Sequence, residues 1–366
     1  MNKRLINKED RLVILKFFQE MKLGEFLFKD ESLQRKVLAE INKKNKKRKQ
    51  KKQACSFPCC DNLAIQKSHT LSDKLMLEPI SENEHVYTIK VDTFNGKNII
   101  DKVSIHGFST FPGFCEKHEN LFTFEKEGRL TNGKELQMQL FRSICRQLHF
   151  LEYEKDNLTT YLETIEPFLE QATKNWYEKS IMKSDYNVIL NLIKDHFLSS
   201  FRLMIKHRKL DIDFTRNVWY KPNANNFGNV IDYNLFHDEL IVVPKHLPFV
   251  LSGPVLFNDC DRDIEGTPNF EKLYYVNLFP NENKTLIHLA SLRTQKERIV
   301  LIAETFENSF EEGSRYIQRW LMENLDLWAL KPSYWENTPL NIKEEIGKKL
   351  SISPYETETR IYGSID

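Results

Sequence analysis

Four side chains that can share one cation leave a chain few ways to fold, and in this chain they are crowded into one stretch. Between Cys55 and Phe122 lie four of the six cysteines and four of the ten histidines. The stretch opens with Cys55-Ser-Phe-Pro-Cys59-Cys60, continues through Lys67-Ser68-His69-Thr70, and closes with Phe111-Pro-Gly-Phe-Cys115-Glu-Lys-His118-Glu119-Asn. Two thiolates a few residues apart, followed by a Cys and a His three apart, are the borderline-soft ligands that zinc takes tetrahedrally. Pro58 bends the first loop so that its sulfurs face one point. Cys115 and His118 lie one helical turn apart and converge if Gly113-Phe114 leads into a helix. The expected ligands are Cys55, Cys60, Cys115 and His118. Cys59 is the alternative to Cys60, since it closes a tighter loop with Cys55.

The remainder reads as scaffold. A length of 366 residues suggests two or three domains, and 40% hydrophobic with 29% charged residues is the composition of a folded chain. Six unevenly spaced cysteines do not make a disulfide framework. No apolar run is long enough to span a bilayer, and the polar start Met1-Asn-Lys-Arg lacks a signal segment, so a cytoplasmic protein without membrane contact is expected. The net charge of +1 hides one strong asymmetry, because eight of the ten residues from Lys43 to Lys52 are basic. A solvated linker accounts for such a run. So does an arm (Lys46, Lys47, Arg48, Lys49, Lys51, Lys52) that holds the phosphates of DNA or RNA, or a nuclear-import signal.

Helical spacing covers residues 9–24 and a second segment with Leu33, Val37, Leu38 and Ile41 on one side. From Thr131 to Leu210 three helices are expected, starting at Thr131-Asn-Gly-Lys-Glu135 and broken at Pro167, enough for a small bundle. Beyond Asp211, short β-rich runs follow: Val218-Trp-Tyr, Glu239–Val243, Phe249-Val-Leu, Leu273–Leu278 and Thr285–Leu289, with a hairpin loop near Asn281. Helical spacing returns over Ser309–Leu330 and after Thr338-Pro. The fold class is α+β, in four segments. These are a helical region with the basic arm (1–54), a metal module (55–130), a helical segment (131–211) and an α+β C-terminal domain (212–366). Self-association or a protein partner falls to the last two.

Val86–Val91 and Ile99–Val103, with an Asn95-Gly96 turn, read as a hairpin between the two ligand pairs. Knuckle, hairpin and ligand-bearing helix in that order resemble a treble clef, and specifically the zinc-stapled HNH-like (ββα-metal) nuclease module in the degenerate form found among prokaryotic defence proteins. The resemblance implies an endonuclease acting on DNA or RNA. His69 then activates water, Ser68 orients the imidazole, and Glu119 replaces the family's metal-binding residue as a ligand for Mg²⁺ or Mn²⁺. The alternative for Ser68-His69 is a hydrogen-bonded structural pair at a strand end. The alternative for the whole module is a non-catalytic, zinc-stabilised surface that binds nucleic acid or protein.

Overall fold

The computed structural model describes residues 35–36, 39–40, 42–44, 46–47, 53–91, 98–130, 132–178, 185–225, 227, 234–256, 272–321 and 327–351. The expected helix over 9–24, the Asn95-Gly96 turn, Arg48, Lys49, Lys51 and Lys52 lie outside them. The fold is α+β and falls into two compact units: residues 53–149 with 213–366, and residues 1–52 with 150–212. These units do not follow the four linear segments read from the sequence, because strands far apart in the chain pair with one another.

The larger unit is built on a seven-stranded antiparallel sheet. Its strands are β2 (His85–Val91), β3 (Asn98–Ser104), β5 (Phe236–Val243), β6 (Phe249–Leu256), β7 (Leu273–Asn281), β8 (Lys284–Leu292) and β9 (Trp328–Leu330), in the order β3-β2-β9-β6-β7-β8-β5. A separate pair, β1 (Ser68–His69) with β4 (Thr110–Phe111), stands beside it. Strands β7 and β8 are buried along nearly their whole length, so both faces of the sheet are covered. That is why they read as continuous apolar runs rather than alternating ones. On one face Tyr274, Val276, Leu278, Ile287 and Leu289 meet Ile299, Ile302 and Phe306 of helix Lys296–Asn308 and Ile317 and Trp320 beyond it. On the other, Tyr275 and Ala290 meet Leu140, Ile144 and Trp219. A polar row crosses that second face: Ser143 of the covering helix bonds Ser252 (2.7 Å) and Asn277 (2.9 Å).

Several expectations change in three dimensions. Val218-Trp-Tyr is not a strand but part of the π-helical turn Thr215–Tyr220, whose Trp219 packs on Phe236 and Tyr275. Ser309–Leu330 is not one helix. Ser309 caps helix Phe310–Arg319, and Trp328–Leu330 is the short strand that joins β2 to β6. The Val86 and Ile99 strands exist, but they extend the large sheet through Tyr87 opposite Leu330 instead of forming a private hairpin of the metal module. The β7–β8 turn is tighter than read: the strands pair through Asn281 and Lys284, and Glu282 takes φ 54°.

Pro167 does not end a helix. Gly133–Glu178 is a single helix of 46 residues, started by Asn132, whose Oδ1 accepts from the Lys134 and Glu135 amides. Ile165 and Leu169 flank the proline and pack on Ile189, Ile193 and Phe197, which offsets the one hydrogen bond a proline removes. In the smaller unit the stretch 150–178 lies antiparallel to 186–212, as Tyr177 against Tyr186 and Tyr161 against Phe201 require. The third helical element is not a broken half of this helix. It is the segment containing Arg35, Lys36, Glu40 and Lys43, whose Lys44 pairs with Glu163 at 2.7 Å and whose Lys36 lies over Phe168. Part of the basic run thus has an acidic partner within the protein, while Lys46 and Lys47 remain exposed.

Gly313 fixes how helix Phe310–Arg319 approaches its predecessor, because a Cβ there would stand 2.4 Å from the ring of Phe306. Gly313→Ala is expected to destabilise the chain by about 1–3 kcal/mol, the usual cost of overpacking, read as a lower midpoint in denaturant unfolding.

Candidate metal centre

The first ligand pair sits on a knuckle closed by short-range backbone bonds: Cys55 N to Asn62 O (2.9 Å) and Ala64 N to Gln53 O (2.8 Å). Cys59 occupies the turn at φ 54° and is exposed, while Cys60 turns inward. The knuckle docks on the second half of the stretch through Ser56 N to Gly113 O and Ile65 N to Phe114 O, each 2.7 Å. Cys115 then opens the short helix Glu116–Glu119, which returns His118 to the same point. Gly113 permits this approach, since a Cβ would lie 2.5 Å from the Phe111 ring.

Cys55, Cys60, Cys115 and His118 offer ligand atoms that all lie within 4.8 Å of one another. Cys60 Sγ is 3.9 Å from Cys115 Sγ, and His118 Nδ1 is 3.4 Å from the sulfurs of both Cys55 and Cys115. A tetrahedral ion with metal–sulfur bonds of about 2.3 Å sets sulfurs roughly 3.8 Å apart, so the cluster has the dimensions of such a site. The sulfurs are too far apart for a disulfide. The amides of Cys115 and Phe57 donate to Cys55 Sγ at 3.2 and 3.4 Å. Phe57 stacks on the His118 ring at 4.0 Å and holds its plane, and the Tyr220 hydroxyl donates to Ser56 O at 2.6 Å behind the knuckle.

Before a cation binds, the ligands differ in their readiness to ionise. Burial pushes the Cys55 thiol up to about 11. Burial also opposes ionisation of Cys115, but the His118 amide and the neighbouring Cys55 and Cys60 thiols outweigh it and bring that thiol below its ordinary value. Burial, helped by Lys117, lowers His118 and favours the neutral imidazole a metal requires.

The other expected site residues fall in three places. Ser68 is fully buried, and its hydroxyl accepts from Phe114 N at 2.9 Å, so it ties β1 to the ligand loop. His69 pairs with Thr110 across β1 and β4, and its Nδ1 lies 3.2 Å from Asp73 Oδ1. Both of those atoms are sealed from water and meet at ion-pair rather than hydrogen-bond geometry. Glu119 forms an ion pair with the fully buried Arg142, whose guanidinium lies over the Phe122 ring at 4.1 Å. Of the remaining histidines in the stretch, His85 contacts the Asn83 carbonyl and His106 pairs with Glu84 on the surface. Asp73 and Arg142 escaped the sequence reading. The His-x3-Asp spacing of 69 and 73 was the available signal for the first, and nothing local marked the second.

Compared with known proteins, the chain matches no family model, no curated protein and no solved structure. Among the described residues no helix is long and apolar enough to cross a membrane.

Cys115→Ser is expected to reduce bound metal from about one equivalent to near none, measured by elemental analysis of the purified chain. Cys55 is protonated at neutral pH without metal, so binding releases protons. Affinity should therefore rise with pH and fall on acidification, which competition with a colorimetric chelator at about pH 6 and about pH 8 would show.

Proposed function

We propose that this chain acts on nucleic acid through a zinc-stapled, HNH-like module in which His69 is the general base for phosphodiester cleavage. The observation that carries this reading is the position of His69. It lies on a strand pair whose other strand, β4, leads within a few residues to Cys115, so a cation shared by the two loops would also help hold the imidazole in place. Zinc on Cys55, Cys60, Cys115 and His118 supplies folding free energy and no reaction chemistry, because four protein ligands close its coordination. An imidazole that reaches solvent with 18% of its side chain can act as general base toward a bound nucleophile. Lys67 and Lys74, exposed on either side of His69 in the chain, offer positive charge to the substrate phosphates. The assignment to a prokaryotic defence protein rests on the resemblance alone, and that to the cytoplasm on the sequence pattern.

A second metal on Glu119, as the resemblance would have it, does not fit. The carboxylate already faces the Arg142 guanidinium, which would repel a divalent ion. The same pairing favours a second reading, a zinc-stabilised binding module without catalysis.

Incubation of purified chain with RNA and with plasmid DNA, beside His69→Ala, separates the two. Cleavage by the native chain that drops about 10²–10⁴-fold in the variant while binding persists supports the general base. Retention of substrate in a gel-shift assay with no cleavage by either protein supports the binding module.

A further inference from the structure

Resting on the proposed role of His69, the geometry points to RNA as the substrate, cleaved at its own 2′-hydroxyl without a catalytic metal, with Asp73 as the residue that positions the base. Three observations carry this. The first is the Asp73 carboxylate beside Nδ1 of His69, four residues on, where Ser72 caps a tight turn that returns the acid toward β1. Nδ1 is sealed while the side chain as a whole is 18% exposed. A carboxylate 3.2 Å from Nδ1 electrostatically favours the tautomer protonated there and leaves Nε2 as the basic nitrogen, as in an oriented acid–base histidine. The second is the Glu119–Arg142 ion pair, which engages the carboxylate that the resemblance assigns to a catalytic metal. The third is Ser68. Its hydroxyl is engaged by the Phe114 amide at 2.9 Å in a fully buried position, so the residue before His69 contributes no anionic ligand either.

Those facts decide the class of substrate. Attack of water on a DNA phosphodiester needs the charge on phosphate and leaving oxygen to be neutralised, the task metal ions perform in nucleases. RNA carries its own nucleophile next to the phosphorus, and a positioned base suffices to activate it. His69 Nε2 takes the proton of the 2′-hydroxyl, the 2′-oxygen forms a bond to phosphorus, and the bond from phosphorus to the 5′-oxygen breaks. The leaving 5′-oxygen takes a proton from water, and His69 returns its own to solvent. The products are a 2′,3′-cyclic phosphate and a free 5′-hydroxyl. No electrons are exchanged and no further reactant is consumed. The 2′-hydroxyl is also the group by which a protein distinguishes RNA from DNA.

The test uses the full chain with zinc bound, in buffer free of Mg²⁺ and Mn²⁺. Three single-stranded oligonucleotides of one sequence are compared: RNA, 2′-O-methyl RNA and DNA. Only the RNA should be cut, its fragments should end in cyclic phosphate by mass spectrometry, and added Mn²⁺ should not speed the reaction. Asp73→Asn should lower kcat about 10²-fold or more with KM, zinc content and thermal midpoint unchanged, since the carboxylate orients the base without touching substrate. A loss of stability instead would make Asp73 structural, and Asp73→Glu, which keeps the charge, should restore part of the rate. Cleavage of DNA or 2′-O-methyl RNA, or a strict need for Mn²⁺, overturns the RNA assignment while leaving the nuclease reading intact. No cleavage of any substrate by the zinc-loaded chain overturns both.

Discussion

The convergence of Cys55 and Cys60 with Cys115 and His118 is the constraint on which the local structure depends. The two pairs are separated by a long insertion, part of which leaves the module to join the large sheet, so proximity in sequence does nothing to bring them together. Bonds such as Ser56 N to Gly113 O align the halves, yet each contributes only about 1 kcal/mol net. A tetrahedral ion contributes apparent binding of about 10–16 kcal/mol to a site of this kind, far above the few kcal/mol needed to close a loop of such length. With such an ion bound, these four side chains would dominate the energetics of this stretch.

The module is not free-standing. Phe114, Phe122 and Cys115 share one core with Phe141 and Cys145 of the long helix and with Val250 and Phe279 of the sheet. Phe141 also lies edge-on to Phe57, the ring that stacks on His118. Orientation of the ligand imidazole is therefore set by the same aromatic packing that seats the helix on the sheet. Arg142, next in sequence, is buried in that contact and draws Glu119 with it. The helix that supports the metal centre is the element that also determines which carboxylates near it remain open to a cation.

How much could be read beforehand varies with the range of the interactions. Strands β5 to β8 were legible because each is a β-rich run, and β6, β7 and β8 also pair with their neighbours in the chain, whereas the pairing of β5 with β8 spans two intervening strands. The four ligands were legible because their chemistry is unusual, and the choice between Cys59 and Cys60 was not, since it turns on a left-handed backbone at Cys59. Trp219 was misread as a strand residue because an aromatic, β-branched triplet fits a sheet as well as a buried turn. The strand Trp328–Leu330 was hidden within helical spacing, and three residues are too few for a period to register. Pro167 shows that packing on both sides overrides a local breaker.

The order of residues alone dictated which side chains could hold a borderline-soft cation, and where a histidine would stand relative to them, because ligand chemistry belongs to the residue itself. Tertiary structure alone decided which acid lies beside that histidine. Asp73 reaches His69 only because a capped turn folds back on β1, and Glu119 is withdrawn only because Arg142 is brought against it by the helix that covers the sheet. A charge acquires its role from the charges packed around it, and those neighbours are fixed by folding across long stretches of chain rather than by local spacing.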